Sequence, residues 1–133
     1  MEKKFALLIP SDRKNIHLVE EFFHTVNTSL HLPEEKFHAL LVAATEAVNN
    51  GIIHGNKNIR SKNVALSCSV KGKTLTIKVK DEGDGFNPGD LSNPLHKENL
   101  LRTGGRGVFL MRAFVQSVKY NKKGNEVTLV MKV

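Results

Sequence analysis

Apolar positions along this chain recur with two different periods, and the changeovers mark its elements. Residues 3 to 9, apolar from Phe5 to Ile9 and closed by Pro10, which gives a sheet no N–H donor, predict an opening strand. Ser11 and Asp12 then offer oxygens of the kind that cap a helix. From Lys14 to about Leu30, Ile16, Val19, Phe22, Phe23 and Val26 recur at steps of three and four, while His17, Glu20, Glu21 and His24 take the wet side of the predicted helix. Pro33 suits a first helical position, and Glu34 and Glu35 complement the positive end of a helix dipole. A second helix is therefore expected, with Phe37, Leu40, Leu41, Ala44, Val48 and Ile52 carrying it to about His54 and Gly55 as its C-cap.

The period then drops to two. Val64, Leu66, Cys68 and Val70, then Leu75, Ile77 and Val79, alternate on either side of Lys71-Gly72-Lys73, which predicts a hairpin. Ser67, Ser69, Thr74, Thr76, Lys78 and Lys80 fall on the opposite face, so helices should cover this sheet on one side only. Residues 81 to 107 lose all periodicity and hold six of the ten glycines, too long a loop to be mere connection in a compact domain. A third helix is expected over roughly Val108 to Gln116, followed by a hairpin of Val118–Tyr120 and Val127–Val133 turning at Asn121–Asn125.

Length and composition narrow the class. With 133 residues, 40% hydrophobic and 25% charged, the chain is expected to fold as one domain over 1–133. Its longest apolar run, Phe37 to Ala44 broken only by His38, falls far short of a bilayer span, so no membrane partner is expected. The opening residues carry no small-residue cleavage site of a signal peptide. A single Cys68 cannot form an internal disulfide, which fits a reducing, cytoplasmic setting. The net charge of +7 invites a nucleic-acid reading. Against it, Lys78 and Lys80 alternate with Ile77 and Val79 as the outer face of a strand, and no helix concentrates basic residues. No direct nucleic-acid binding is expected, and an acidic protein partner would be served equally well.

Three clusters carry candidate chemistry. On the second helix, at about 100° per residue, Glu46 lies opposite Phe37, where Ala39, Val42, Ala43 and Ile53 stand beside Glu46, Asn49 and Asn50. Glu46 and Asn50 are four apart and can converge on one ligand; a carboxylate and an amide oxygen suit magnesium and proton-transfer chemistry. Gly51, costly inside a helix by about 1 kcal/mol, would be explained by a close approach to the backbone there. Spacing alone equally allows surface polar groups near a helix end. The second cluster, Asp81-Glu-Gly83-Asp-Gly85, follows an apolar strand and leaves Asp81 as an acceptor beside glycine turns. It is a poor calcium loop, because the twelfth position is Ser92. The third, Arg102-Thr-Gly104-Gly105-Arg106-Gly107, directly precedes a helix, whose free N–H groups and dipole favour an anion such as phosphate.

The order of the clusters is more informative than any one of them. Glu46-x-x-x-Asn50 on a helix, Asp81-x-Gly83-x-Gly85 after a strand and Gly105-x-Gly107 opening a helix resemble the three ATP-binding boxes of the gyrase/histidine-kinase ATPase superfamily. The segments Glu46–Gly55 and Leu101–Leu110 resemble one branch in particular, the bacterial anti-sigma factor serine kinases of the RsbW type. The fold this implies is the Bergerat one: an α/β two-layer sandwich, a mixed, mostly antiparallel sheet with about three helices on one face and an ATP lid near 86–104. Arg106 and Asn49 depart from the smaller residues common at their positions.

The resemblance also implies roles. Asn50 would coordinate the Mg²⁺ that accompanies ATP, and Glu46 would act as the base. Asp81 would accept from the adenine amino group, with Gly83 and Gly85 making room for the base. Gly104, Gly105 and Gly107 form the phosphate-binding turn, Gly105 and Gly107 offering N–H groups, and Arg102 would neutralise charge near the γ-phosphate. His54 reads as structural or ATP-adjacent. The implied activity is an ATP-dependent protein-serine kinase that phosphorylates an anti-anti-sigma partner of the STAS type and sequesters a sigma factor. Homodimers are common in the family. The alternative is a non-catalytic ATP-binding module that regulates a protein partner.

Overall fold

A computed structural model describes residues 2–83 and 114–133. Five strands, β1 (Glu2–Pro10), β2 (Asn63–Lys71), β3 (Thr74–Lys80), β4 (Val115–Tyr120) and β5 (Glu126–Lys132), form one sheet in the order β1-β2-β3-β5-β4. All of these pairings are antiparallel, so the sheet expected to be mixed is purely antiparallel among the described residues. Two helices, α1 (His17–Leu30) and α2 (Glu34–Asn50), pack on one face. This is an α/β two-layer arrangement consistent with a Bergerat-like fold.

Strand alternation builds the core. Register aligns Phe5, Cys68, Ile77, Leu129 and Val118 in one row across the sheet, and the middle three are fully buried. The row beside it, Ala6, Ser67, Lys78, Thr128 and Lys119, belongs to the opposite face. The helices close the core with Val19, Phe23 and Val26 from α1 and Leu40, Ala44 and Val48 from α2. Each fully buried large side chain, such as Phe23 or Leu40, contributes about 1.5–3 kcal/mol relative to exposure.

Local chemistry sets the boundaries, some of them away from the expected places. Asp12 takes the capping role, its side chain accepting from the Lys14 N–H at 3.0 Å to open a 3₁₀ turn, Arg13–Ile16, that precedes α1. α1 ends at His31, which adopts a left-handed φ of 52° while Asn27 Oδ1 accepts from the Leu32 N–H at 2.8 Å. Pro33 is the N-cap of α2 rather than its first residue, with φ −55° and ψ 149°. Gly72, with φ +60°, makes the tight turn between β2 and β3. In the turn before β5, Asn121 Oδ1 accepts from the N–H groups of Gly124, Asn125 and Glu126, and Gly124 sits at φ +80°.

The expected third helix overruns at its end. Phe114 is helical, but Val115 and Gln116 already belong to β4, with a register shift between Val115 and Ser117. The remainder of that helix and the lid at 86–104 lie outside the described residues. Among the described residues no helix is long and apolar enough to cross a membrane.

Candidate functional site

The site is built where α2 stops being an α-helix. Beyond Asn50 the chain widens into a π turn, Gly51–Gly55, in which the Asn56 N–H donates to the Gly51 carbonyl at 2.8 Å, five residues back. Such turns add a residue to the helix and concentrate at functional sites. Gly55 does not adopt the left-handed conformation of a C-cap. It is glycine for a different reason: a Cβ there would overlap the carboxyl group of Asp81. Gly51 likewise accommodates the protein itself, since a Cβ would lie 3.3 Å from Val64 Cγ2.

Asp81 is the residue after β3 and is 7% exposed. Its N–H donates to the Asn125 carbonyl at 2.9 Å, and its Oδ1 accepts from the Gly83 N–H at 2.8 Å. Burial pushes its pKa up; the Gly83 hydrogen bond and the charges of Lys123 and Lys62 oppose that rise without cancelling it. A Cβ on Gly83 would overlap the Gly55 carbonyl oxygen, so the space this glycine leaves is filled from within the chain. The carboxylate of Asp81 is thus held between two glycines from separate elements. Among the described residues its Oδ2 receives no hydrogen bond and is available to an external donor.

Asn50, Gly51 and Asp81 line one cleft, whose apolar part includes Ala47, Val79 and Val127, with Tyr120 at its side. Burial holds the Tyr120 hydroxyl well above its ordinary pKa, so it stays neutral. Apolar walls with one buried acceptor suit a flat heteroaromatic ring carrying an amino group. The enclosed part of the cleft has about 20 Å³ of free space, room for about one water. Among the described residues no group of three His, Cys, Asp or Glu side chains could hold a metal. The amide oxygen of Asn50 is a hard-cation ligand that would need a nucleotide's own phosphates to complete a magnesium site.

Glu46, one turn before Asn50, is half-buried and lines a neighbouring groove with Glu20, His38, Leu41, Val42 and Thr45 rather than this cleft. Burial raises its pKa above the ordinary 4.5. The structure therefore brings together Asn50, Asp81 and Gly83, and sets Glu46 beside them facing the next groove. His54 is exposed. Gly85, Arg102, Gly104, Gly105 and Gly107 lie outside the described residues.

Sequence reasoning passed over Asn56, which stands in a polar stretch with no periodicity to single it out. It is fully buried. Its Nδ2 donates to Ser11 Oγ at 2.8 Å and to the Asn63 carbonyl at 3.0 Å, while its Oδ1 accepts from the Glu82 N–H at 2.7 Å. The Glu82 carboxylate in turn accepts from the Asn63 N–H.

Comparison with known proteins agrees with this architecture. Residues 9–131 match the histidine kinase-like ATPase domain. The chain is 37% identical over 94 residues to an anti-sigma F factor of Clostridium kluyveri, an alignment covering 68% of this chain and 65% of that protein. It is 33% identical over 101 residues to an anti-sigma F factor of Clostridium acetobutylicum, covering 74% of this chain and 70% of that one. With a serine-protein kinase RsbW of Oceanobacillus iheyensis it shares 27% identity over 104 residues, covering 74% and 66%. The chain belongs to the histidine kinase-like ATPase family, and it spans about two thirds or less of the length of the first of these relatives.

Proposed function

We propose that this protein is an ATP-dependent protein-serine kinase and anti-sigma factor of the cytoplasm, one that phosphorylates a small STAS-type anti-anti-sigma partner and in its alternative state sequesters a sigma factor. The observation that carries the nucleotide part is the meeting of Asn50 and Asp81 on one apolar cleft, in a chain of this family. The names of the relatives support the regulatory part.

In this reading Asp81 accepts from the adenine amino group through Oδ2. Asn50 would hold magnesium, which would supply charge neutralisation at the phosphates. Glu46, its pKa raised, takes the proton from the serine hydroxyl. Gly85 makes room for the base beside Gly83. Gly104, Gly105 and Gly107 form the turn that holds the phosphates, with N–H groups from Gly105 and Gly107, and Arg102 offsets charge at the γ-phosphate. Positioning and charge stabilisation of this kind are most of what a protein contributes to phosphoryl transfer.

Incubation with Mg-ATP and a candidate STAS-type protein tests the reading. Labelling of the partner is expected, and labelling that survives Glu46→Gln undiminished refutes the role given to that residue. A second reading, ATP binding without transfer, draws on the position of Glu46 in the neighbouring groove. Calorimetry showing ATP affinity with no turnover on any partner would favour it.

A further inference from the structure

Asn56 joins both chain segments that flank the Asp81 carboxylate. It directly follows Gly55, which lies against that carboxylate, and its Oδ1 fixes the peptide N–H of Glu82, between Asp81 and the Gly83 N–H that binds Oδ1 of Asp81. The orientation of its amide is dictated by its partners. The Glu82 N–H can only donate and the Asn63 carbonyl can only accept, so oxygen must face Glu82 and nitrogen must face Asn63. Ser11, at the end of β1, accepts from the same nitrogen, and the Ser11 N–H donates to the Lys62 carbonyl at 3.0 Å. One buried side chain thus ties the π turn, the end of β1, the start of β2 and the exit of β3 together.

We propose that Asn56 is a positioning residue for base recognition: by holding the π turn and the Asp81–Gly83 turn at a fixed separation, it aims the Asp81 carboxylate at the 6-amino group of adenine. The proposal rests on the reading of Asp81 as the adenine acceptor. An Asp at 56 keeps the acceptor for Glu82 but turns an oxygen toward the Asn63 carbonyl, so the turn moves while the side-chain volume stays the same.

The discriminating measurement is the affinity of the protein for ATP and for ITP, which carries an oxo group where adenine has its amino group, by calorimetry. The unaltered protein is expected to prefer ATP at least tenfold. In Asn56→Asp the ATP:ITP ratio is expected to fall to within about threefold of unity, with ITP affinity changing less than threefold; a purely architectural role lowers both affinities together and leaves the ratio intact. Ser11→Ala, which removes one of the two acceptors of the amide nitrogen, is expected to lower the ratio part of the way, and decides the matter if Asn56→Asp does not fold. An unchanged ratio in a folded variant overturns the proposal. Absence of any ATP preference in the unaltered protein overturns instead the assignment of Asp81 to adenine, and with it the ground on which the role of Asn56 stands.

Discussion

Replacing Gly55 by alanine sets two physical effects against each other. Alanine is favoured over glycine within helical backbone by about 1 kcal/mol, and Gly55 has no left-handed φ that alanine would resist, so backbone preference alone predicts a gain. The new Cβ, however, would overlap Cγ and Oδ2 of Asp81 and lie 2.7 Å from its Oδ1. Asp81 cannot swing away freely, because its Oδ1 is held by the Gly83 N–H and its own N–H by Asn125. Overpacking of this kind costs about 1–3 kcal/mol. Offset by the backbone preference, the net loss should be about 0–2 kcal/mol, or up to about 6 °C in Tm. In an Asp81→Ala background the obstructing atoms are gone, and the same substitution should turn neutral or stabilising. Urea denaturation of the four members of this cycle measures the coupling directly. If Gly55→Ala stabilises equally with and without the Asp81 carboxyl, the interlock inferred between the π turn and β3 is wrong.

Other expectations come from the same geometry. Because the folded-state pKa of Asp81 is raised, the native protein holds that proton more tightly than the unfolded chain; the contribution of this group to stability is therefore fully present below its ordinary 3.8 and is lost as pH rises through the raised value. Asp81→Asn should remove that part of the slope in pH-dependent denaturation while weakening ATP binding at least tenfold, and an unaltered slope would contradict the burial argument. Glu46→Gln should cut transfer to a protein partner by about 10²–10⁴-fold with ATP affinity kept. In the unaltered protein kcat/KM should rise with pH through a midpoint above 4.5, and persistence of that acid limb in the variant would assign it elsewhere. Cys68 is buried with its thiol pushed up to about 12, so a thiol reagent at pH 8 should find it only after denaturation. Rapid stoichiometric labelling of the native protein would show the β2 side of the core to be open.

Much of the sheet was legible because alternation is a direct record of burial. Val64 to Val79 gave both the hairpin and its buried face, and Gly72 marked the turn. The helices were legible from their stripes, although Pro33 and the residues before His17 shifted by a position or a turn as local hydrogen bonds decided the ends. Gln116 was misjudged because the expected helix was carried past Phe114, where Val115 already pairs with Met131 of β5. At the site, Asp81 stood out by its glycine-rich surroundings and Asn50 by its spacing from Glu46 on the helix. The reasons for those glycines could not, because Gly55 and Asp81 are far apart in the chain and only tertiary packing brings them together. Asn56 left no signal at all: a buried asparagine and an exposed one look alike until their partners are known.

The widened turn at Gly51–Gly55 also fixes how the gene can change. Gaining or losing one residue there would rotate the downstream chain by about 100°, carrying Asn56 out from under Ser11. Lys57 to Ser61 are exposed, and the N–H groups of Asn58 and Ile59 tie the first half of that bend back to the carbonyls of Ile52 and Asn56. A scan of single-codon insertions should therefore find folded protein lost for events from Gly51 through Ile59 and kept for events at Arg60 and Ser61.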